Sequence, residues 1–293
     1  MLINEVCKMC SLTKKAVEYY RQQGLIAPVA RENGYRDFSD RDVMALRRIA
    51  VLRGLGLSVG EIRSILPETG TGKEALAGVS FRRAMEVTVL QEKQKLISDL
   101  ATKDNWEEAE ERLRQLQKKE AVSERILNAF PGNYGRYICM HFAAYLDGPV
   151  VTKEQQEAYE TVISFLDGVD FRLPDNLQKY LDEAMAHFDE GLVGKVTEGM
   201  DAMVSDTEKY IAENQEFIES WIAYKKSEAY RNSPTFLLEE AMRQFHSASG
   251  YNEIFIPAMC RLSNSYREYY EAMQKANEKF LQKYPSCLPE PSK

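Results

Sequence analysis

Leu12-Thr13-Lys14-Lys15-Ala16-Val17-Glu18-Tyr19-Tyr20, followed after three residues by Gly24-Leu25-Ile26-Ala27-Pro28, decides how the start of this chain is read. Thr13 offers a hydroxyl to the free amides of a helix start, and Ala16, Val17 and Tyr20 then share one face. Gly24 supplies the left-handed residue that closes such a helix, and Pro28 prevents its continuation. Upstream, Ile3, Val6 and Cys7 recur at helical spacing, with a short break at Met9–Leu12. Residues 1–27 therefore read as two short helices joined by a tight turn, the pattern of a helix-turn-helix.

Working outward, residues 29–38 read as a small hairpin. Its Asn33-Gly34 pair is a two-residue turn signal because both residues tolerate positive φ. Ser39 or Asp40 caps a third helix with Val43, Leu46, Ile49 and Ala50 on its apolar face, broken by Gly54 and Gly56. Ser58 and Glu61 form a capping-box pattern that opens a fourth helix through Ile62 and Leu66. Pro67–Gly78 reads as a Gly-rich linker. A long helix is expected from Val79 to Leu100, with Phe81, Met85, Val89, Leu96 and Leu100 on one side, and a second run carries Trp106, Ala109, Leu113 and Leu116.

A recognition helix needs basic and small polar groups at its N-terminal end. Thr13, Lys14 and Lys15 supply them, with Tyr19 one turn on. The hairpin adds Arg31, Tyr35 and Arg36, so guanidinium and phenol groups flank a tight turn where phosphate oxygens can be met. Tyr20, Val17, Ile26 and Phe38 read instead as core against Val43 and Leu46. Glu18 is the discordant charge. It either accepts from a cytosine amino group or pairs with Lys14 or Arg21 on its own helix, and pairing is preferred.

Four blocks in order, Leu12–Tyr20, Gly24–Pro28, Asn33–Ser39 and Leu55–Ile62, resemble the signature of MerR family transcription regulators. The resemblance covers residues 1 to about 66, and the long helix after them resembles that family's antiparallel dimerisation helix. It implies a homodimer on a pseudo-palindromic promoter, an overlong promoter spacer, and activation by bending and untwisting DNA so that RNA polymerase can engage. Two recognition helices would lie about one DNA turn, roughly 34 Å, apart. Three departures stand out. Glu18 occupies a position that is often Arg in the family, Ser11 replaces a usual turn glycine, and no cysteine lies between residues 11 and 138. The last argues against thiolate metal sensing of the family's kind, and no metal or cofactor is expected.

Composition agrees with a protein that touches phosphate at one end. The 293 residues carry a net charge of −7, yet residues 1–70 hold 11 Lys and Arg against 8 Asp and Glu, a basic head on an acidic body. With 44% apolar and 28% charged residues the chain reads as globular, with no apolar run long enough to span a membrane and no signal-peptide pattern. A cytoplasmic location is expected. Five cysteines, an odd number, argue against a disulfide framework, and Cys7 with Cys10 reads as core packing. Gly70-Thr71-Gly72-Lys73 lacks the glycine and hydroxyl positions of a phosphate loop and reads as a hinge. The three histidines, His141, His187 and His246, lie far apart, so no catalytic constellation is read and an enzyme is not expected.

The remainder reads as helical. Near-heptad runs cover Val196–Trp221 and Phe255–Phe280, Ser233-Pro234 starts a helix, and Pro257 starts or kinks the last one. The expected organisation is mainly α: a winged helix-turn-helix at 1–70, a linker and coiled-coil dimerisation helix at 71–120, and a helical effector-binding domain at 121–293. Tyr134, Tyr137, Trp221, Tyr224 and Tyr251 are candidates for an aromatic pocket taking a small lipophilic molecule, a cation among them. The same aromatics at helical spacing also suit a plain core, and both readings stand. The all-helical pattern resembles the family branch with a helical drug-sensing domain. A catalytic domain or a protein-interaction scaffold fused to the DNA-binding head are the rival organisations.

Overall fold

The computed structural model describes residues 1–31, 34–66, 72–130, 132–146, 148, 150–185 and 190–287. It divides into two units, Met1–Arg83 and Ala84–Lys293.

In the first unit, α1 (Ile3–Cys10) and α2 (Lys14–Gln22) precede a hairpin of β1 (Val29–Ala30) and β2 (Arg36–Asp37). Helices α3 (Asp40–Gly54) and α4 (Val59–Ile65) follow, with the opening turns of α5 (Gly72–Lys103). The Thr13 hydroxyl accepts the Ala16 amide at 3.1 Å, and capping boxes start α3 at Ser39 and α4 at Ser58. Each such cap contributes about 1 kcal/mol. Val6, Val17, Leu46, Ile49 and Ile62 are wholly buried, and Tyr20, Ile26, Phe38 and Val43 pack with them as expected. Each of these aliphatic side chains gains ~1.5–3 kcal/mol on leaving water. Cys10 belongs to this core, with its Sγ 3.7 Å from the Val43 carbonyl.

Several boundaries differ from the sequence reading. Met9 and Cys10 remain helical, and the turn is made at Ser11, which adopts φ 51. Gly54 stays within α3, and Gly56 at φ 83 turns the chain. In the hairpin, Gly34 (φ 80) donates its amide to the Arg31 carbonyl, and Arg31 donates to the Tyr35 carbonyl. Asn33 lies outside the described residues. Helix α5 begins at Gly72, so Gly72–Gly78 is helical although the sequence read it as linker; Gly70 and Thr71 lie outside the described residues.

The second unit contains the rest of α5, then α6 (Trp106–Ala129), α7 (Gly132–Ala143), α8 (Lys153–Gly168) and α9 (Asp175–Met185). Next come α10 (Glu190–Ser205), α11 (Thr207–Glu213), α12 (Gln215–Lys226), α13 (Glu228–Arg231) and α14 (Pro234–Ser249). A π-helical turn at Tyr251–Phe255 leads into α15 (Ile256–Leu262) and α16 (Asn264–Lys283). Helix α6 runs unbroken past residue 120, where a domain boundary was expected. The heptad run through Trp221 is not one helix. Asp206 caps α11 by accepting the Lys209 amide, and α12 starts afresh after Asn214. The run through Phe280 is likewise cut at Ser263, which caps α16. Ser233 and Pro234 open α14 as expected.

The core of this unit is aromatic. Phe130, Phe142 and Phe255 are fully buried, and rings run in contact from Phe130 through Phe171 and Phe245 to Tyr251, Phe255 and Tyr266. Gly135 is indispensable to the packing of α7 on the end of α6. A Cβ there would lie 1.4 Å from the Phe130 carbonyl oxygen.

Candidate nucleic-acid interface and effector cavity

Helix α2 presents Thr13, Lys14, Lys15 and Tyr19 on its exposed face while Val17 and Tyr20 anchor it in the core. Its first amides have no partner inside the helix, so the helix start and two ammonium groups together favour an anion. The hairpin exposes Arg31 and Tyr35, and Arg36 is half-buried. Thus the structure brings all seven expected contact residues onto the helix and hairpin of one unit.

Ion pairs fix this surface. Glu18 accepts from Arg21 at 2.6 and 3.0 Å, and Arg36 of the hairpin lies 3.6 Å away on the other carboxylate oxygen. The pairing preferred for Glu18 is therefore present with Arg21, and it extends to the hairpin, which sequence spacing alone did not show. The Arg21 hydrogen bond, with both guanidiniums nearby, holds the Glu18 carboxyl below the usual glutamate range. Asp37 accepts from the Met1 amine at 2.6 Å and from Arg31 at 2.7 Å, and these two bonds lower its pKa. Each pair holds a cation in place at the surface, where phosphate can compete for it.

The sequence reading missed Asp42. Its buried carboxylate accepts from the Ala27 amide (3.1 Å), the Ser39 amide (2.9 Å) and the Ser39 hydroxyl (2.7 Å). It thereby ties both ends of the hairpin segment to the start of α3. The Ser39–Asp42 box was visible in sequence as Ser-x-x-Asp, but its reach to Ala27 was not.

In the second unit, Tyr134 lines a cavity of about 590 Å³ with Leu181, Glu239, Met242, Arg243 and His246. Tyr251 stacks on His246 at 4.5 Å. The His246 Nε2 is buried without a hydrogen-bond partner, and burial lowers the pKa of this imidazole. Burial raises the pKa of the Tyr134 and Tyr251 phenols. Trp221 and Tyr224 sit elsewhere, exposed on α12. Lys225 Nζ lies 4.3 Å over the Trp221 ring and bonds Glu239 at 2.8 Å, and Tyr230 donates to the same carboxylate at 2.6 Å. Of the five expected aromatics, Tyr134 lines this cavity and Tyr251 packs behind its lining residue His246; Tyr137 is not among the lining residues, and Trp221 and Tyr224 sit on α12, whose Lys225 bonds the lining residue Glu239.

Residues 1–69 match the description MerR HTH family regulatory protein. The HTH-type transcriptional regulator HmrR of Sinorhizobium medicae is 34% identical over 101 residues, which are 34% of this chain and 69% of that protein. The chain belongs to the MerR family. HmrR of Rhizobium leguminosarum is 44% identical over 66 residues, 22% of this chain and 51% of its own length. Heavy metal-dependent transcription regulator 2 of Rhizobium meliloti is 42% identical over 67 residues, 22% of this chain and 46% of its own. The chain thus spans about half the length of these last two MerR relatives. No solved structure matches. Its thiols are dispersed, with Cys139 buried beside the Ser123 carbonyl (3.8 Å). Among the described residues no three His, Cys, Asp or Glu side chains converge to hold a metal, so the donor set does not fit a metal centre. No helix of the described residues is long and apolar enough to cross a membrane.

Proposed function

We propose that this MerR family member binds promoter DNA as a homodimer through α2 and the hairpin, and switches transcription by distorting that DNA when an effector binds the helical unit. The carrying observation is the cluster of Thr13, Lys14, Lys15, Tyr19, Arg31, Tyr35 and Arg36 on one matched family domain. Lysines at the helix start meet phosphates, and the hairpin arginines flank the adjacent groove.

A second copy has a place to dock. On α5, Phe81, Met85, Val89 and Leu100 are partly covered and Leu96 is buried, so the face singled out in sequence is turned inward. Val87, Leu90 and Ile97 are 51%, 63% and 69% exposed, at the three- and seven-residue spacings of a coiled-coil seam. An antiparallel mate would cover this stripe and set the two heads for successive major grooves. The effector is a small lipophilic molecule held by the Tyr134–His246 cavity, and it biases the population of the distorted DNA state. RNA polymerase is engaged through the DNA, in the cytoplasm, and no catalytic step is needed.

A mobility shift on the DNA upstream of the protein's own gene, across a salt series, tests the reading. Specific binding that weakens with salt and is weaker in Arg36→Ala supports it. Equal shifts of specific and scrambled duplexes by folded protein would refute it.

A further inference from the structure

A second cavity, of about 480 Å³, lies between α6, α8 and the start of α16. Lys118 and Lys119 of α6 line it, both half-buried. Neither forms a salt bridge with a described residue, and no described lining residue is acidic. Lys118 bonds the Gln156 side-chain oxygen at 3.1 Å and lies 5.5 Å over the Tyr159 ring, contacts that leave its ammonium without an anionic partner.

Two helix starts meet at the same wall. Thr152 caps α8, and Ser263 caps α16. The side chain of Gln155, which completes the Thr152 capping box, also reaches the Leu262 carbonyl at 3.5 Å and joins the two starts. The caps use only part of each first turn. The leading amides, including those of Asn264 and Ser265, have no partner within the helix, and each helix start carries about half a positive charge. Val122, Leu146, Val150 and Leu262 add apolar surface to the lining.

We propose that this cavity binds a small organic anion, with a carboxylate or phosphate head against Lys118, Lys119 and the two helix starts and an apolar body against the aliphatic wall. The site is separate from the Tyr134–His246 cavity and does not depend on DNA binding. It lies on the helix that Arg112 and Glu120 bridge to Asp99 and Lys93 of α5.

Calorimetric titration of the full-length protein with octanoate, octyl phosphate, inorganic phosphate and octanol tests the proposal without any operator. Octanoate or octyl phosphate should bind saturably, one per chain, at least tenfold more tightly than inorganic phosphate, and octanol should not compete. Lys118→Gln combined with Lys119→Gln should weaken binding at least tenfold. So should Asn264→Asp, which favours the helix start but places a carboxylate in the cavity wall, with the melting temperature unchanged or raised. Binding of octanol as tight as that of octanoate would overturn the proposal. So would anion binding that survives both variants, or no anion binding by folded protein.

Discussion

The two units carry their chemistry on opposite sides of their cores. In Met1–Arg83 the core is mainly aliphatic and the polar groups proposed to meet DNA stand outside it, one face of α2 turned in and the other out. In Ala84–Lys293 the core is a continuous run of aromatic rings, and the polar groups of interest, such as the His246 Nε2, lie at cavities within it. A surface that reads a rigid polyanion needs fixed positions, which caps and ion pairs provide. A unit proposed to take a small molecule needs volume between its helices.

Gly135→Ala breaks this comparison most severely. The close approach to the Phe130 carbonyl leaves no room for a methyl, and a loss of about 3 kcal/mol or more is expected in the helical unit. A thermal melt should show that unit's transition lost while the head's remains. Leu46→Ala, with its parent side chain fully buried, should destabilise the head by ~2–5 kcal/mol in chemical denaturation and leave the cavities' ligand binding intact. Arg36→Ala should cost the head under about 1 kcal/mol, through the lost Glu18 pair, yet weaken DNA binding across all sequences and flatten the salt dependence by about one phosphate contact.

The head was legible because its signals are local. Thr13, Ser39 and Ser58 cap the helices they were expected to cap, and Gly24 ends α2 (φ 71). The second unit was legible in class but not in detail. Periodicity passes through Asp206 and Ser263 unbroken, because a cap residue at a heptad position costs the pattern nothing while it ends a helix. Helix α5 carries two apolar stripes, and sequence spacing does not say that the Phe81–Leu100 stripe turns inward while Val87, Leu90 and Ile97 remain exposed. The Lys118–Lys119 cavity joins segments more than a hundred residues apart, so no local pattern announces it.

Smaller effects sharpen the account of the head. Ser11 holds a left-handed conformation at φ 51, which strains any side chain, so Ser11→Gly should stabilise this unit by about 0.5–1 kcal/mol in a denaturant titration. Glu18 is held below its ordinary pKa by Arg21 and Arg36, so its contribution is present above the usual glutamate range and fades as pH falls through the lowered value. The groups are partly exposed, and under about 1 kcal/mol is expected. Wild type and Glu18→Gln should therefore differ slightly in stability at neutral pH and converge near pH 3.

Hydroxyl-radical footprinting of the full-length protein on its upstream DNA tests the central claim most directly. Two protected patches about one helical turn apart are expected, both lost when Lys14 and Lys15 are replaced by Glu in a protein that remains folded. A single patch, or protection indifferent to those lysines, would contradict recognition by a pair of α2 helices.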